Sequence, residues 1–224
     1  MTSEHSLART FDLSCVRTNH AESDIRILAE QAMRWSCINA HVLPGWVPLL
    51  RSLLTGSDTL VGSPVGFPSG GVSTRTKLVE TQVLLADGVQ ELDIVMNIGR
   101  FQSGDFSYVR DELLAVMSEV PQTIPVKVII ETSVLSDEGI VSASRLVADT
   151  GAGFVKTGTG WLGPVTPEAV RIIRASVPDD VQIKASGGIR TSAQLRELAD
   201  AGATRFGVGM TSGLALLREA AVTS

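Results

Sequence analysis

The sequence predicts an α/β fold, a (β/α)8 TIM barrel built as a single domain over residues 1–224. Three observations predict it. Short apolar, β-branched runs recur about every 28 residues along the 224-residue chain, as a strand–helix repeat requires. Helical patterns fill the gaps between those runs. No linker, low-complexity segment or change of composition divides the chain.

The strand candidates follow in order. The first is "RTFDL" around Asp12, and the second is "SCINAHV", ending at Val42. "DTLVGSPVG" runs to Gly66, "ELDIVMN" to Asn97 and "VKVIIET" to Thr132. "GFVKTG", "VQIKASGG" and "ATRFGVG" end at Gly158, Gly188 and Gly209 and complete eight. Between them, Ile25, Leu28, Ala29 and Ala32 fall at i, i+3, i+4 and i+7, the face of an amphipathic helix. Val109, Leu113, Val116 and Met117 lie on another such face. Thr166-Pro167-Glu168 has the order of an N-cap followed by proline at the first helical position. Thr191 with Gln194 has capping-box spacing. The rival architecture is a doubly wound open sheet, which carries a glycine-rich turn after its first strand. Here that strand leads into "SCVRTNHAESD", which has no glycine.

Composition narrows the function classes. The chain is 44% hydrophobic and 19% charged, an ordinary globular balance. Its net charge of −5, from 19 basic and 24 acidic residues, argues against nucleic acid or an anionic membrane surface as the main partner. No apolar run reaches the roughly 18 residues of a membrane span, and "MTSEHSLART" lacks the apolar stretch of a secretory signal. Cys15 and Cys37 show no metal-ligand spacing. A reducing cytoplasm is the expected setting. The sequence shows no clear apolar interface patch, so a homodimer is left open.

The chemistry concentrates on polar residues in the strands. Side chains alternate faces along a strand. Asp93, Val95 and Asn97 therefore share one face, as do Gln182, Lys184 and Ser186. Active sites of such barrels sit at the C-terminal ends of the strands. Lys156 and Lys184 are expected to point inward from neighbouring strands, about 4.8 Å apart. Burial and a second ammonium both lower the pKa of a lysine, and a neutral amine forms a Schiff base with a carbonyl compound. A carboxylate across the barrel, Asp93 or Asp12, would move the proton or anchor the second lysine. Lys127 precedes the apolar part of its strand and is expected lower in the barrel, in an ion pair. "TGTG" (157–160), "SGGIR" (186–190) and "GVGMTSG" (207–213) follow the last three strands, and glycine-rich turns there suit a phosphate.

Blocks of this sequence closely resemble the deoxyribose-phosphate aldolase family. They are "GFPSGGVSTRTKLVET", "ELDIVMNIG", "VKVIIET", "GFVKTGTG", "IKASGGIRT" and "AGATRF". The likeness runs from about Asp12 to Ser212. It implies a class I aldolase, without metal or organic cofactor, that cleaves 2-deoxyribose 5-phosphate to glyceraldehyde 3-phosphate and acetaldehyde. It implies Lys156 as the Schiff-base lysine and Lys184 as the lysine that lowers its pKa. It implies Asp93 in the proton relay and Asp12 as the first-strand aspartate. Thr157, Gly160, Ser186, Gly187, Gly188, Arg190, Thr211 and Ser212 fall on its substrate and phosphate loops. Four places depart from the family pattern. Asp-His-Thr reads Asp12-Leu13-Ser14. A cysteine and an asparagine on the second strand read His41 and Leu43. Thr-Ser-Thr-Gly reads Thr157-Gly158-Thr159-Gly160. Ser-Ser reads Thr211-Ser212, after a two-residue insertion near Gly209. His41 is expected to face the ligand, where its imidazole would bind a hydroxyl that acetaldehyde lacks. Three alternatives stay open: the same chemistry on another phosphorylated sugar or hydroxylated donor, an isomerase using Asp93 or His41, and a non-catalytic sugar-phosphate binder.

Overall fold

The computed structural model describes residues 7–223. Eight parallel strands close on themselves in the order β1 to β8, each paired with its neighbours in sequence and β8 with β1. They are β1 (Phe11–Cys15), β2 (Asn39–Val42), β3 (Leu60–Val65), β4 (Glu91–Val95), β5 (Val126–Ile129), β6 (Phe154–Lys156), β7 (Gln182–Ser186) and β8 (Arg205–Gly209). The helices between and after them are α1 (Glu22–Trp35), α2 (Val47–Leu53), α3 (Thr74–Ala86), α4 (Ile98–Gln102), α5 (Phe106–Glu119), α6 (Asp137–Asp149), α7 (Pro167–Ser176), α8 (Ser192–Asp200) and α9 (Met210–Thr223). The predicted barrel is therefore the observed fold.

Local chemistry sets the helix ends. Thr166 accepts from the backbone N–H of Ala169, with Pro167 at the first helical position of α7. Thr191 and Gln194 form the expected reciprocal capping box of α8. The stripe Ile25, Leu28, Ala29 and Ala32 is buried in α1, and Val109, Leu113 and Val116 are buried in α5. These faces pack on the outward side chains of the strands, such as Leu13, Val61, Ile94, Val128, Val155 and Ile183, all fully buried.

Several strands stop earlier than the apolar runs imply. "ELDIVMN" ends as a strand at Val95, and Asn97 instead caps α4 by accepting from the Arg100 N–H. The glycine turns after β6 and β7 lie wholly outside the strands. Apolar content marks burial, and the first residues beyond a barrel strand are buried as well.

The barrel interior is charged. Asp12, Glu91, Asp93, Lys127, Lys184 and Arg205 are nearly or fully buried, with Lys156 just above them. Beneath Lys127 and Arg205 lies the ring of Phe154, with each cation 5.6 Å from its centroid. Among the described residues, no helix is long and apolar enough to cross a membrane.

Candidate active site

Register places the charged side chains in tiers. Asp93 pairs in register with Lys127, and Lys156 with Lys184. Lys156 ends β6, whereas Asp12, Asp93 and Lys184 lie within their strands. The site is thus deeper than a rim of strand ends, with Lys156 as its uppermost lysine.

Asp93 Oδ2 is the common vertex. Lys156 Nζ donates to it at 2.7 Å and Lys184 Nζ at 2.6 Å. Lys184 Nζ also lies 2.5 Å from Asp12 Oδ2. Lys127 sits lower, as its place in the sequence implies. Its partners are Glu91 at 2.8 Å, Asp93 at 3.3 Å and Asp12 at 3.6 Å. Arg205 bridges Asp12 and Glu91 at 2.8 and 3.2 Å.

The balance of this cluster decides which amine gives up its proton most readily. Four cations, Lys127, Lys156, Lys184 and Arg205, face three carboxylates, Asp12, Glu91 and Asp93. Fully ionised, the group carries one positive charge too many, and an uncompensated buried charge is expensive. The proton leaves where carboxylates are fewest. Lys127 touches three of them, and although burial opposes its charge, Asp12, Asp93 and Glu91 push its pKa up. Lys156 touches only Asp93. Burial lowers its pKa, Lys184 lowers it further, and Asp93 opposes them only in part, leaving it at about 8. Burial alone would raise Asp12 and Asp93. The lysines outweigh it and hold both carboxyls below the usual carboxylate range.

His41 stands beside this cluster on β2, buried and facing the same cavity. Its Nδ1 is 3.4 Å from Asn39 Oδ1 and its Nε2 3.6 Å from Asp93 Oδ2. Burial is the main cause that brings its pKa to about 3, so the imidazole is neutral. Nε2 has no hydrogen-bond partner. Asp12, His41 and Asp93 offer ligand atoms within 4.8 Å of one another, the geometry of a metal site. Both carboxylates are already engaged by lysines, however, so the set suits ammonium groups.

A cavity of about 200 Å³ opens above the cluster at the C-terminal end of the barrel. Lys156, Lys184, Asp12, His41, Gly160, Ser186, Gly187, Gly188, Thr211 and Ser212 all line it. The barrel thus gathers on one cavity most of the residues singled out in the sequence. Asp93 lies directly beneath, fully buried. The loop after β6 is pinned by Glu131, whose carboxylate accepts from the Thr159 N–H at 3.0 Å and the Thr159 hydroxyl at 2.6 Å.

Comparison with known proteins supplies the lineage. The family model for DeoC/LacD family aldolase matches residues 13–220. The chain belongs to the DeoC/LacD aldolase family. As such it is an aldolase, an aldehyde-lyase. It is 48% identical over 217 residues to the deoxyribose-phosphate aldolase of Sinorhizobium medicae (strain WSM419), covering 96% of this chain and 87% of that one. It is 43% identical to the deoxyribose-phosphate aldolase of Klebsiella pneumoniae, over 91% of this chain and 83% of that one. A solved tetrameric deoxyribose phosphate aldolase from Aeropyrum pernix superposes with a TM-score of 0.91. It shares 26% identity and covers 100% of this chain and 94% of that chain.

Besides Asp93, two of the residues singled out in this aldolase sequence lie outside the cavity. Thr157 follows inward-facing Lys156, so alternation turns it out of the barrel. Its hydroxyl donates to Ser186 O and accepts from Ser186 N–H, bracing β6 against β7. Arg190 is exposed and not part of the lining. It stands next to the Thr191 cap, where the chain is already turning into α8.

Sequence reasoning missed other residues. Glu91 and Arg205 share faces with Asp93 and Gly207 by simple alternation, and that signal was present. Arg17, His20 and Phe67 also line the cavity. They sit in loops, where no periodicity reports which way a side chain points.

Proposed function

We propose that this aldolase cleaves and forms 2-deoxyribose 5-phosphate through a Schiff base on Lys156. The observation that carries the reading is the state of that one amine. It is buried, faces the cavity, is held by a single carboxylate and has a pKa near 8. Kinship to deoxyribose-phosphate aldolases supports the substrate.

In the cleavage direction the neutral amine adds to the C1 aldehyde of the open-chain sugar. Water leaves and a protonated imine remains. The C3 hydroxyl then loses its proton and the C2–C3 bond breaks. Its electron pair becomes the C1–C2 double bond of an enamine, and glyceraldehyde 3-phosphate departs. A proton returned to C2 gives the imine of acetaldehyde, which water hydrolyses. Asp93 touches both lysines, so it can take up the proton that Lys156 gives up and return it as the reaction proceeds. Asp12 fixes Lys184 in place beside the reacting amine. Gly160, Gly187 and Gly188 on the loops after β6 and β7, with Thr211 and Ser212 in the first turn of α9, form the bed for the substrate's phosphate.

A second reading rests on His41. Its neutral ring faces the cavity with Nε2 unpartnered. A hydroxyl on the donor carbon would satisfy it. This favours a hydroxylated donor or another phosphorylated sugar alongside 2-deoxyribose 5-phosphate.

Borohydride trapping read by peptide mass spectrometry tests both. The protein is incubated in turn with acetaldehyde, 2-deoxyribose 5-phosphate and hydroxylated ketose phosphates. The expected result is a reduced adduct on Lys156, absent from Lys156→Ala. Absence of an adduct with every compound rules out the imine mechanism. Equal activity of His41→Ala and the parent on all donors removes the second reading.

A further inference from the structure

We propose that Arg17, carried on the loop after β1 and held over Trp161, is the cation that receives the anionic end of the substrate. This rests on the sugar-phosphate reading and adds a residue to it.

Three cationic side chains line the cavity: Lys156, Lys184 and Arg17. The two lysines are committed to Asp93 and Asp12. Arg190, on the loop after β7, is not in the lining. Arg17 is thus the guanidinium that the cavity mouth presents.

Its placement is built by contacts between distant loops. One Arg17 nitrogen, Nη2, donates to Gly160 O at 2.9 Å. The guanidinium carbon lies 5.3 Å from the centre of the Trp161 ring, within cation–π range. Trp161 in turn meets Phe67 edge-to-face at 5.8 Å. The loops after β1, β3 and β6 therefore join across the mouth of the barrel. A guanidinium carries five N–H donors in a planar fork that matches phosphate oxygens. The bond to Gly160 uses one of them. The indole contact and the bond to Gly160 together restrain the fork, so less freedom is lost when an anion binds.

His20 adds a second donor. Its Nδ1 accepts from the Arg17 backbone N–H at 3.1 Å, so the ring proton resides on Nε2. The ring lines the same cavity. The Arg17 fork and the His20 N–H thus share one cavity with the glycines Gly160, Gly187 and Gly188 and the hydroxyls of Thr211 and Ser212.

The test compares the parent enzyme with Arg17→Ala, Arg17→Lys and Trp161→Leu on 2-deoxyribose 5-phosphate and on unphosphorylated 2-deoxyribose. Loss of a charge-assisted contact predicts that Arg17→Ala raises KM for the phosphorylated sugar by roughly 10- to 100-fold. Its kcat is expected within about threefold of the parent, as for a contact made equally to substrate and transition state. Kinetics on the unphosphorylated sugar stay unchanged. Arg17→Lys recovers part of the loss, and Trp161→Leu shows a smaller loss of the same selectivity. Calorimetric titration with inorganic phosphate gives a readout independent of turnover, with a weaker Kd expected for Arg17→Ala. An unchanged phosphate Kd in that variant, absence of phosphate binding by the parent, or equal losses on both sugars overturns the proposal. Acetaldehyde trapping on Lys156 separates this from the reading beneath it. Trapping with no phosphate-selective change rejects Arg17 alone, and no trapping in the parent rejects the imine mechanism.

Discussion

At the scale of single residues, the chemistry of this barrel depends on a count of charges. One amine among four cations lacks a full set of carboxylates, and it faces the cavity. Lys184→Met tests the count. Removing that ammonium deletes a neighbour that lowers the Lys156 pKa and frees Asp93 and Asp12 to raise it. Both changes act in one direction. The midpoint of the pH dependence of imine trapping moves above about 8, and trapping at pH 7 falls at least about tenfold, because each unit of pKa is a factor of ten in neutral amine. Partial recovery at pH 10 is expected; a midpoint that does not move contradicts the charge count. The sequence made this pair legible, because alternation alone turns Lys156 and Lys184 inward. It did not reveal why Lys156 is the one whose pKa is lowered. That depends on Glu91 and Arg205, which hold Lys127 and Asp12 from other strands, and such triangulation has no signature along the chain.

At the scale of elements, helices and their caps were read correctly because their causes are local: a threonine hydroxyl, a proline, a 3.6-residue stripe. Strand ends were overrun because burial continues past the last ladder bond. Loops were legible only as glycine-rich segments, and their contacts were not. The loop after β6 shows what was hidden. Glu131 has a left-handed backbone, φ 56°, and its buried carboxylate holds Thr159 twice. A non-glycine residue in that conformation is held there by its surroundings. Glu131→Gln keeps the shape and removes the charge that strengthens both bonds. KM for the phosphorylated sugar is expected to rise about tenfold, from the loss of roughly 1.4 kcal/mol in positioning Gly160. Trapping of acetaldehyde, which does not reach that loop, stays at the parental rate. Equal losses with acetaldehyde and the phosphorylated sugar would instead mean that Glu131 supports the barrel generally.

For the whole molecule, a charged interior makes stability follow pH in steps. His41 has a folded pKa of about 3 against an ordinary 6.5. Between those values the unfolded chain binds its proton and the folded one does not. The stability that neutral His41 permits is therefore complete above pH 6.5 and is lost as pH falls toward 3, by up to about 1.4 kcal/mol per pH unit. Asp12 and Asp93, held below 3.8, add their losses only at lower pH. Lys156 acts at the other end. Its folded pKa of about 8 lies under the unfolded 10.5, so the unfolded chain holds the extra proton in that window and stability rises with pH across it. Urea denaturation from pH 4 to 10 reads both steps. His41→Asn is expected to flatten the acid limb between pH 4 and 6.5 and leave the alkaline limb alone. Lys156→Met is expected to do the reverse, and also to stabilise the protein near pH 7, where the parent must bury either an excess charge or a proton-poor amine. An acid limb unchanged in His41→Asn would place the proton uptake on other groups and break the link between the buried charged cluster and the stability of the fold.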